Sequence, residues 1–459
     1  MTECAENHPN KDSCLSFVTR FLKNPIVSIL VVGLAVRLAL GFVATYGYDV
    51  YSWALIIENF ESGNGLYGLV GYNYAPPWGY ILGVISVFQD LLGVGVVGVR
   101  PTDALPIEQY TEWFLTANIT STAFNLTVKI ATFVCDIAVG YLVYWIVMHF
   151  TGDRKKSTIA FAVWFLCPFV ITVGAVGGMF DSFTALMTLM CVIFLIKDRY
   201  LLAGMMFGAA ALMKFFPAIL VFLLVAYILT KHTGRGIAAK NVLTAAAGAL
   251  AVVAVLLLPQ ILDGTLASCF SFLTARAGSN IGSGLGSIER YGTMAAYLGI
   301  LAASFLLARR LRKDPGRDMD MTMLLLVAVN ICILLLFPST PQYIVLLMPF
   351  LAILLVMSDR RLRIPLAVLI VGTTMFSLAG NATLLISLAT FTDMISMSSV
   401  MGAAEWFQAP VLGLSKMGWL YYGGAVLQYV GTAAVFWTLV RGTDFNGASL
   451  RLSPGKELG

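Results

Sequence analysis

The stretch VLTAAAGALAVVAVLLLP, residues 242–259, decides the architecture. It carries no charge, and as a helix at 1.5 Å per residue it is about 27 Å long, close to the thickness of a bilayer's hydrocarbon core. Runs at 158–176, 321–337 and 417–440 repeat the pattern. These are long and unbroken, unlike the alternating segments of about ten residues that a transmembrane β-barrel would show.

Composition agrees. The chain has 459 residues, of which 59% are hydrophobic and 12% charged, with a mean hydropathy of +0.86. A soluble domain carries about twice that charge. A chain this apolar has lipid as part of its solvent, where helices satisfy every backbone group internally. The fold class expected is an all-α polytopic transmembrane bundle of about 12 spans, within a range of 10–13.

The spans are placed near 26–47, 127–149, 158–176, 182–197, 200–213, 216–230, 242–262, 292–308, 321–337, 343–357, 364–380 and 417–440. A cytoplasmic tail, 1–25, precedes a single transmembrane domain, 26–440, and a second cytoplasmic tail, 441–459, follows it. Within the domain lie a long first outer loop, 48–126, and further outer loops at 263–291 and 381–416. Apolar residues 79–98 of the first loop read as an interfacial or re-entrant helix.

Charge sorting sets the orientation. With the N-terminus inside, the 29 Lys and Arg residues fall in cytoplasmic segments, all but Arg37, Arg100, Lys129, Lys214, Arg276, Arg290 and Lys416. The net charge of +5 is therefore a topology signal, and no nucleic-acid partner is expected. The seven cysteines are scattered with no metal or disulfide spacing. His8, His149 and His232 all lie at or near the cytoplasmic side. Carboxylates collect outside, so chemistry is expected to face outward.

Several residues stand out against this background. Asp49, in Tyr46-Gly47-Tyr48-Asp49-Val50-Tyr51, sits at the end of the first span, where a general base would meet a lipid-linked substrate. The plainer reading is an interfacial cap of the next helix. Tyr67 and the stretch Tyr72-Asn73-Tyr74-Ala75-Pro76-Pro77-Trp78 make either an interfacial aromatic belt or a platform for sugar rings. Asp181, after Gly177-Gly178-Met179-Phe180, is a cap, a functional acid or both. Lys214, in Ala211-Leu212-Met213-Lys214-Phe215-Phe216-Pro217, breaks the charge sorting. It either snorkels or holds an anion such as a lipid phosphate.

Lys129 and Asp136 are seven residues apart on one helix face, too far apart to pair with each other. They are read as structural polar groups. Arg37, mid-span, calls for an acidic partner or a phosphate, and Asp136 is a candidate partner. Gln342 and Tyr343, in the hairpin Pro338-Ser339-Thr340-Pro341-Gln342-Tyr343, are in place to bond a substrate, although a tight turn explains the prolines equally well. No phosphate-binding glycine loop, zincin motif or His/Cys cluster is present, and no metal is assigned. Asn118-Ile119-Thr120 and Asn381-Ala382-Thr383 are outer glycosylation sequons.

Taken in order, Arg37, Asp49, Leu66-Tyr67, Tyr74-Ala75-Pro76, Lys129 with Asp136, Gly178-Met179-Phe180-Asp181, Lys214-Phe215-Phe216-Pro217 and Pro341-Gln342-Tyr343 resemble the GT-C superfamily of polytopic glycosyltransferases. They are most similar to its polyprenyl-phosphate-mannose-dependent enzymes, including the GPI mannosyltransferase I type and prokaryotic relatives. The resemblance implies an outward-facing polyprenyl-phosphate (dolichol-phosphate-like) sugar donor and a glycan, glycolipid or glycoprotein acceptor. It implies inversion at the sugar, with Asp49 as base and no cofactor required. Lys214, with Arg276 or Arg290, would hold phosphate, and Asp181 would orient hydroxyls. Tyr74, Gln342 and Tyr343 complete the expected substrate-binding set. Eukaryotic relatives often carry paired acids in this loop, whereas Gly47 stands two residues before Asp49, which argues against a paired-carboxylate metal site. A transporter or lipid flippase, kept open by Arg37 and Asp136, is the alternative class. A non-catalytic subunit of a glycosylation complex is another.

Overall fold

A computed structural model describes residues 24–68, 72, 74–95, 120–232, 234–271, 298–299, 302, 317–336, 340–357, 360–379 and 396–442. The N-terminal tail up to residue 23, nearly all of the span placed at 292–308, the sequon asparagines, Arg276 and Arg290 lie outside the described residues. So do the chain beyond residue 442 and much of the three outer loops.

Helix α1, Pro25–Val43, starts where its chemistry dictates: Asn24 accepts the Ile26 N–H at 3.2 Å and Pro25 takes the first helical position. It stops at Val43, short of the boundary expected from hydropathy. An extended hinge, residues 44–46, leads into a separate helix, α2, Gly47–Glu61. Asp49 therefore lies in the first turn of α2 and does not end the first span. Helix α3, Pro76–Leu92, opens on Pro76 and Pro77 and closes at Gly93 in the left-handed conformation. It buries Trp78, Leu82 and Ile85 while Val84, Val87, Phe88 and Leu91 stay exposed.

Helix α4, Thr122–Thr151, is capped by the Ser121 side chain and ends at Gly152. Asp153 caps α5, Arg154–Phe165, making a tight turn back. Pro168 cannot continue that helix. A 46° bend leads into α6, Pro168–Ile171, which widens into a π turn over Thr172–Val176. There follow α7, Asp181–Ile196; α8, Tyr200–Met213; a 3₁₀ turn, Phe216–Leu220; α9, Val221–Lys231; and α10, Arg235–Leu262. Then come α11, Arg317–Leu335; a 3₁₀ turn, Pro341–Tyr343; α12, Ile344–Met357; and α13, Arg363–Ala379. Last are α14, Met397–Gln408, and α15, Lys416–Gly442. Between these two, β1, Pro410–Val411, pairs antiparallel with β2, Leu414–Ser415, Pro410 opposite Ser415.

Among the described residues, four helices are long and apolar enough to cross a membrane: α1, α4, α10 and α15. The bent α5–α6 pair makes a fifth if it counts as one span. The other apolar segments among the described residues appear as helices of 10–17 residues, too short for a core of about 30 Å unless the bilayer thins. Among the described residues, full-length spans thus number four or five, and the expected count of about twelve is not confirmed, while the membrane character stands.

The core centres on α12, buried from Ile344 to Leu354, against α4, α5, α7 and α11. Outer helices join through small residues. A Cβ on Gly204 would lie 1.8 Å from the Ala245 carbonyl oxygen, and one on Gly248 2.2 Å from that of Leu201, so α8 and α10 touch backbone to backbone.

Candidate functional site

Three helix ends meet at one place. Asp49 is in the first turn of α2, Asp181 is the first residue of α7, and Lys214 is the residue that closes α8. Lys214 Nζ donates to Asp181 Oδ1 at 2.6 Å, and both side chains are almost wholly buried. The same ammonium lies 4.8 Å from the Phe180 ring centre and 5.1 Å from that of Tyr343, so two aromatic faces flank it. Tyr343 is held by stacking on Phe216 at 5.3 Å, and Gln342 shares its turn.

Asp49 is half-buried and feels both charged neighbours. Burial raises its carboxyl from 3.8 to about 7; Lys214 draws it down and Asp181 pushes it up. A carboxyl in that range exchanges protons near neutral pH, as a general base requires.

Neither acid is a helix cap. Tyr46 and Phe180 occupy the cap positions, and no side-chain capping bond is made at either. Asp181 instead pairs with Lys214 through one oxygen. Among the described residues, its second oxygen, Oδ2, is buried without a hydrogen-bond partner, as are Thr184 Oγ1 one turn on and Trp78 Nε1. A buried acceptor without a protein donor favours a donor brought by a ligand.

Two of the aromatic residues, Tyr72 and Trp78, are buried within the protein and form no interfacial belt. Trp78 stacks on Phe180 at 4.9 Å, while Trp53 and Tyr74 meet the same ring edge-on at 5.8 and 5.2 Å. Phe180 is thus the hub that sets where Asp181 and Lys214 stand. In the sequence Phe180 stands out only as part of a motif, by its place between a glycine pair and an acid.

A second network underlies the site. Arg37 Nε donates to Asp136 Oδ2 at 2.9 Å, with both side chains fully buried. The pairing considered from sequence is therefore present. Arg37 also donates to the Phe165 carbonyl at 2.7 Å, at the end of α5. Asp136 Oδ1 accepts from Ser182 Oγ at 2.5 Å, anchoring the residue after Asp181. Lys129 bonds elsewhere, to the end of α1. Arg290 lies outside the described residues.

Comparison with known proteins gives two findings. The model of glycosyltransferase family 87 matches residues 94–338, more than half of the chain. That range holds Lys129, Asp136, Asp181 and Lys214 but not Asp49 or Tyr343. The chain is also 27% identical over 135 residues to GPI mannosyltransferase 1 of Saccharomyces cerevisiae, an alignment covering 29% of this chain and 33% of that protein. The similarity thus spans about a third of the relative's length.

Proposed function

Because the chain belongs to glycosyltransferase family 87, we propose that it is a hexosyltransferase working on a lipid-linked donor. It moves a sugar, mannose by analogy with the yeast relative, from polyprenyl phosphate to a lipid- or protein-linked acceptor. The site faces the outer side, with both termini cytoplasmic, as charge sorting argues. The observation that carries the reading is the grouping of Asp49 and Asp181 around Lys214, three residues from separate helix ends.

Asp49 takes the proton of the acceptor hydroxyl. The hydroxyl oxygen then bonds to the anomeric carbon from the face opposite the phosphate. The bond from that carbon to the phosphate oxygen breaks, and its electron pair leaves with polyprenyl phosphate, inverting the configuration. The leaving group needs no proton, only stabilisation of its charge. Lys214 supplies this: one of its three donors goes to Asp181, leaving two for phosphate oxygens. Asp181, through its open Oδ2, accepts from a sugar hydroxyl. Tyr74, Gln342 and Tyr343 complete the substrate-binding set.

Asp49→Asn, assayed in membranes supplied with a polyprenyl-phosphate sugar, keeps the shape of the side chain and removes the base. Sugar transfer should drop by about 100-fold or more, with the protein present at wild-type level. Full activity in this variant would end the assignment of Asp49 as base.

A further inference from the structure

The scheme above gives no task to Lys129, a fully buried cation in the middle of the site's supporting structure. Its Nζ donates to the carbonyls of Gly41 at 3.1 Å and Ala44 at 2.8 Å, and to Thr45 Oγ1 at 2.8 Å. Three acceptors match the three donors of an ammonium group. None is a carboxylate, and the ion pairs among the described residues do not include Lys129. A cation buried in a membrane helix is costly. Here it meets the negative end of α1, whose last carbonyls need donors.

The lysine reaches both acid-bearing segments. On one side it ends α1 and holds the hinge, residues 44–46, three residues before Asp49. On the other, its stem runs under the turn before Asp181: a Cβ added at Gly178 would sit 3.9 Å from Lys129 Cγ and 4.0 Å from Cε. The hinge and the turn are also joined directly. Tyr46 N–H donates to the Val176 carbonyl at 2.9 Å, and Trp53 Nε1 to that of Gly178 at 3.1 Å.

We propose that Lys129 is a positioning residue: by tying the end of α1 to the Gly177–Gly178 turn it sets the separation of Asp49 from Asp181. It acts through the backbone and touches no substrate. Its catalytic consequence rests on Asp49 being the base, but its structural consequence does not.

The test uses full-length protein in lipid nanodiscs with Lys129→Met, Lys129→Arg and Thr45→Val. Amide hydrogen exchange reads the tie without reference to activity. Lys129→Met should speed exchange in residues 44–50 and in 174–181 together, leaving α10 and α15 unchanged. In the transfer assay, kcat should fall by about 100-fold, the scale of a misplacement of about 1 Å, while KM for the donor holds. Lys129→Arg should recover part of kcat. Faster exchange on one side only, everywhere, or nowhere overturns the proposal. Should Lys129→Met fail to accumulate, Thr45→Val decides. It keeps the ammonium, removes one acceptor and should give the same two-segment pattern more weakly; a change confined to 44–50 counts against the tie. An active Asp49→Asn would remove the base and leave the exchange result to stand by itself.

Discussion

The acid limb of the pH–rate profile is the most direct check on the site. An ordinary aspartate, at 3.8, would give a flat rate from pH 6 to 8. Asp49 at about 7 must lose its proton to act as base, so the rate should rise with pH through that value. At pH 6 about one molecule in eleven would be ionised, so kcat/KM should be roughly a tenth of its plateau. The two neighbours then move the limb in opposite directions. Asp181→Asn removes a charge that raises Asp49, and its limb should shift to lower pH. Lys214→Met removes the charge that lowers it, and its limb should shift to higher pH. In the proposed scheme Lys214 also stabilises the leaving phosphate, so its plateau should fall as well, whereas the direction of the shift is independent of the plateau height. The assay is initial-rate transfer from a polyprenyl-phosphate sugar at saturating acceptor, in overlapping buffers from pH 5 to 9. A wild-type profile flat across pH 6–8 would refute the reasoning, and so would displacement of the limb in the same direction by both variants.

Other expectations concern the scaffold. Arg37→Met leaves the Asp136 carboxylate buried with no cation and should cost about 3–5 kcal/mol, read as a large drop in thermal unfolding temperature; Arg37→Met with Asp136→Asn should recover much of it. An unfolding temperature unmoved by Arg37→Met would mean that the pair holds nothing together. Gly178 has φ of 64°, and a Cβ there would lie 2.9 Å from Val50 Cγ2. Gly178→Ala should therefore destabilise by about 1–3 kcal/mol, and adding Val50→Ala should relieve the contact but not the backbone strain. Complete recovery in that double variant would show that crowding alone was at work.

What the sequence made legible were the needs of individual groups. Arg37 inside an apolar run required an anion, and Asp136 provides it across 99 positions of chain. Lys214 violated charge sorting and required one too, and Asp181 provides it. What stayed hidden were consequences of contacts that local patterns do not encode. Hydropathy carried the first span to residue 47, because nothing between 40 and 47 is polar enough to stop a helix. The stop comes from Lys129, 85 residues further on than Ala44, which takes the terminal carbonyls. Tyr72 and Trp78 have the composition of an interfacial belt, yet both are buried, Trp78 stacked on Phe180 and Tyr72 against Tyr74, which itself meets Phe180.

The same limit applies to the two acids. Their local sequence allowed both to cap helices, and neither does. Their difference comes from their partners. Asp181 is bonded to the lysine, so its charge is largely compensated. Among the described residues Asp49 makes no such ion pair, and Lys214 offsets only part of its burial penalty. Two carboxylates around one cation thus become unlike groups, one bonded directly to the cation and one able to take a proton near pH 7. That division of roles suits a reaction that must remove one proton while holding a phosphate. It arises only once three helix ends have been brought together.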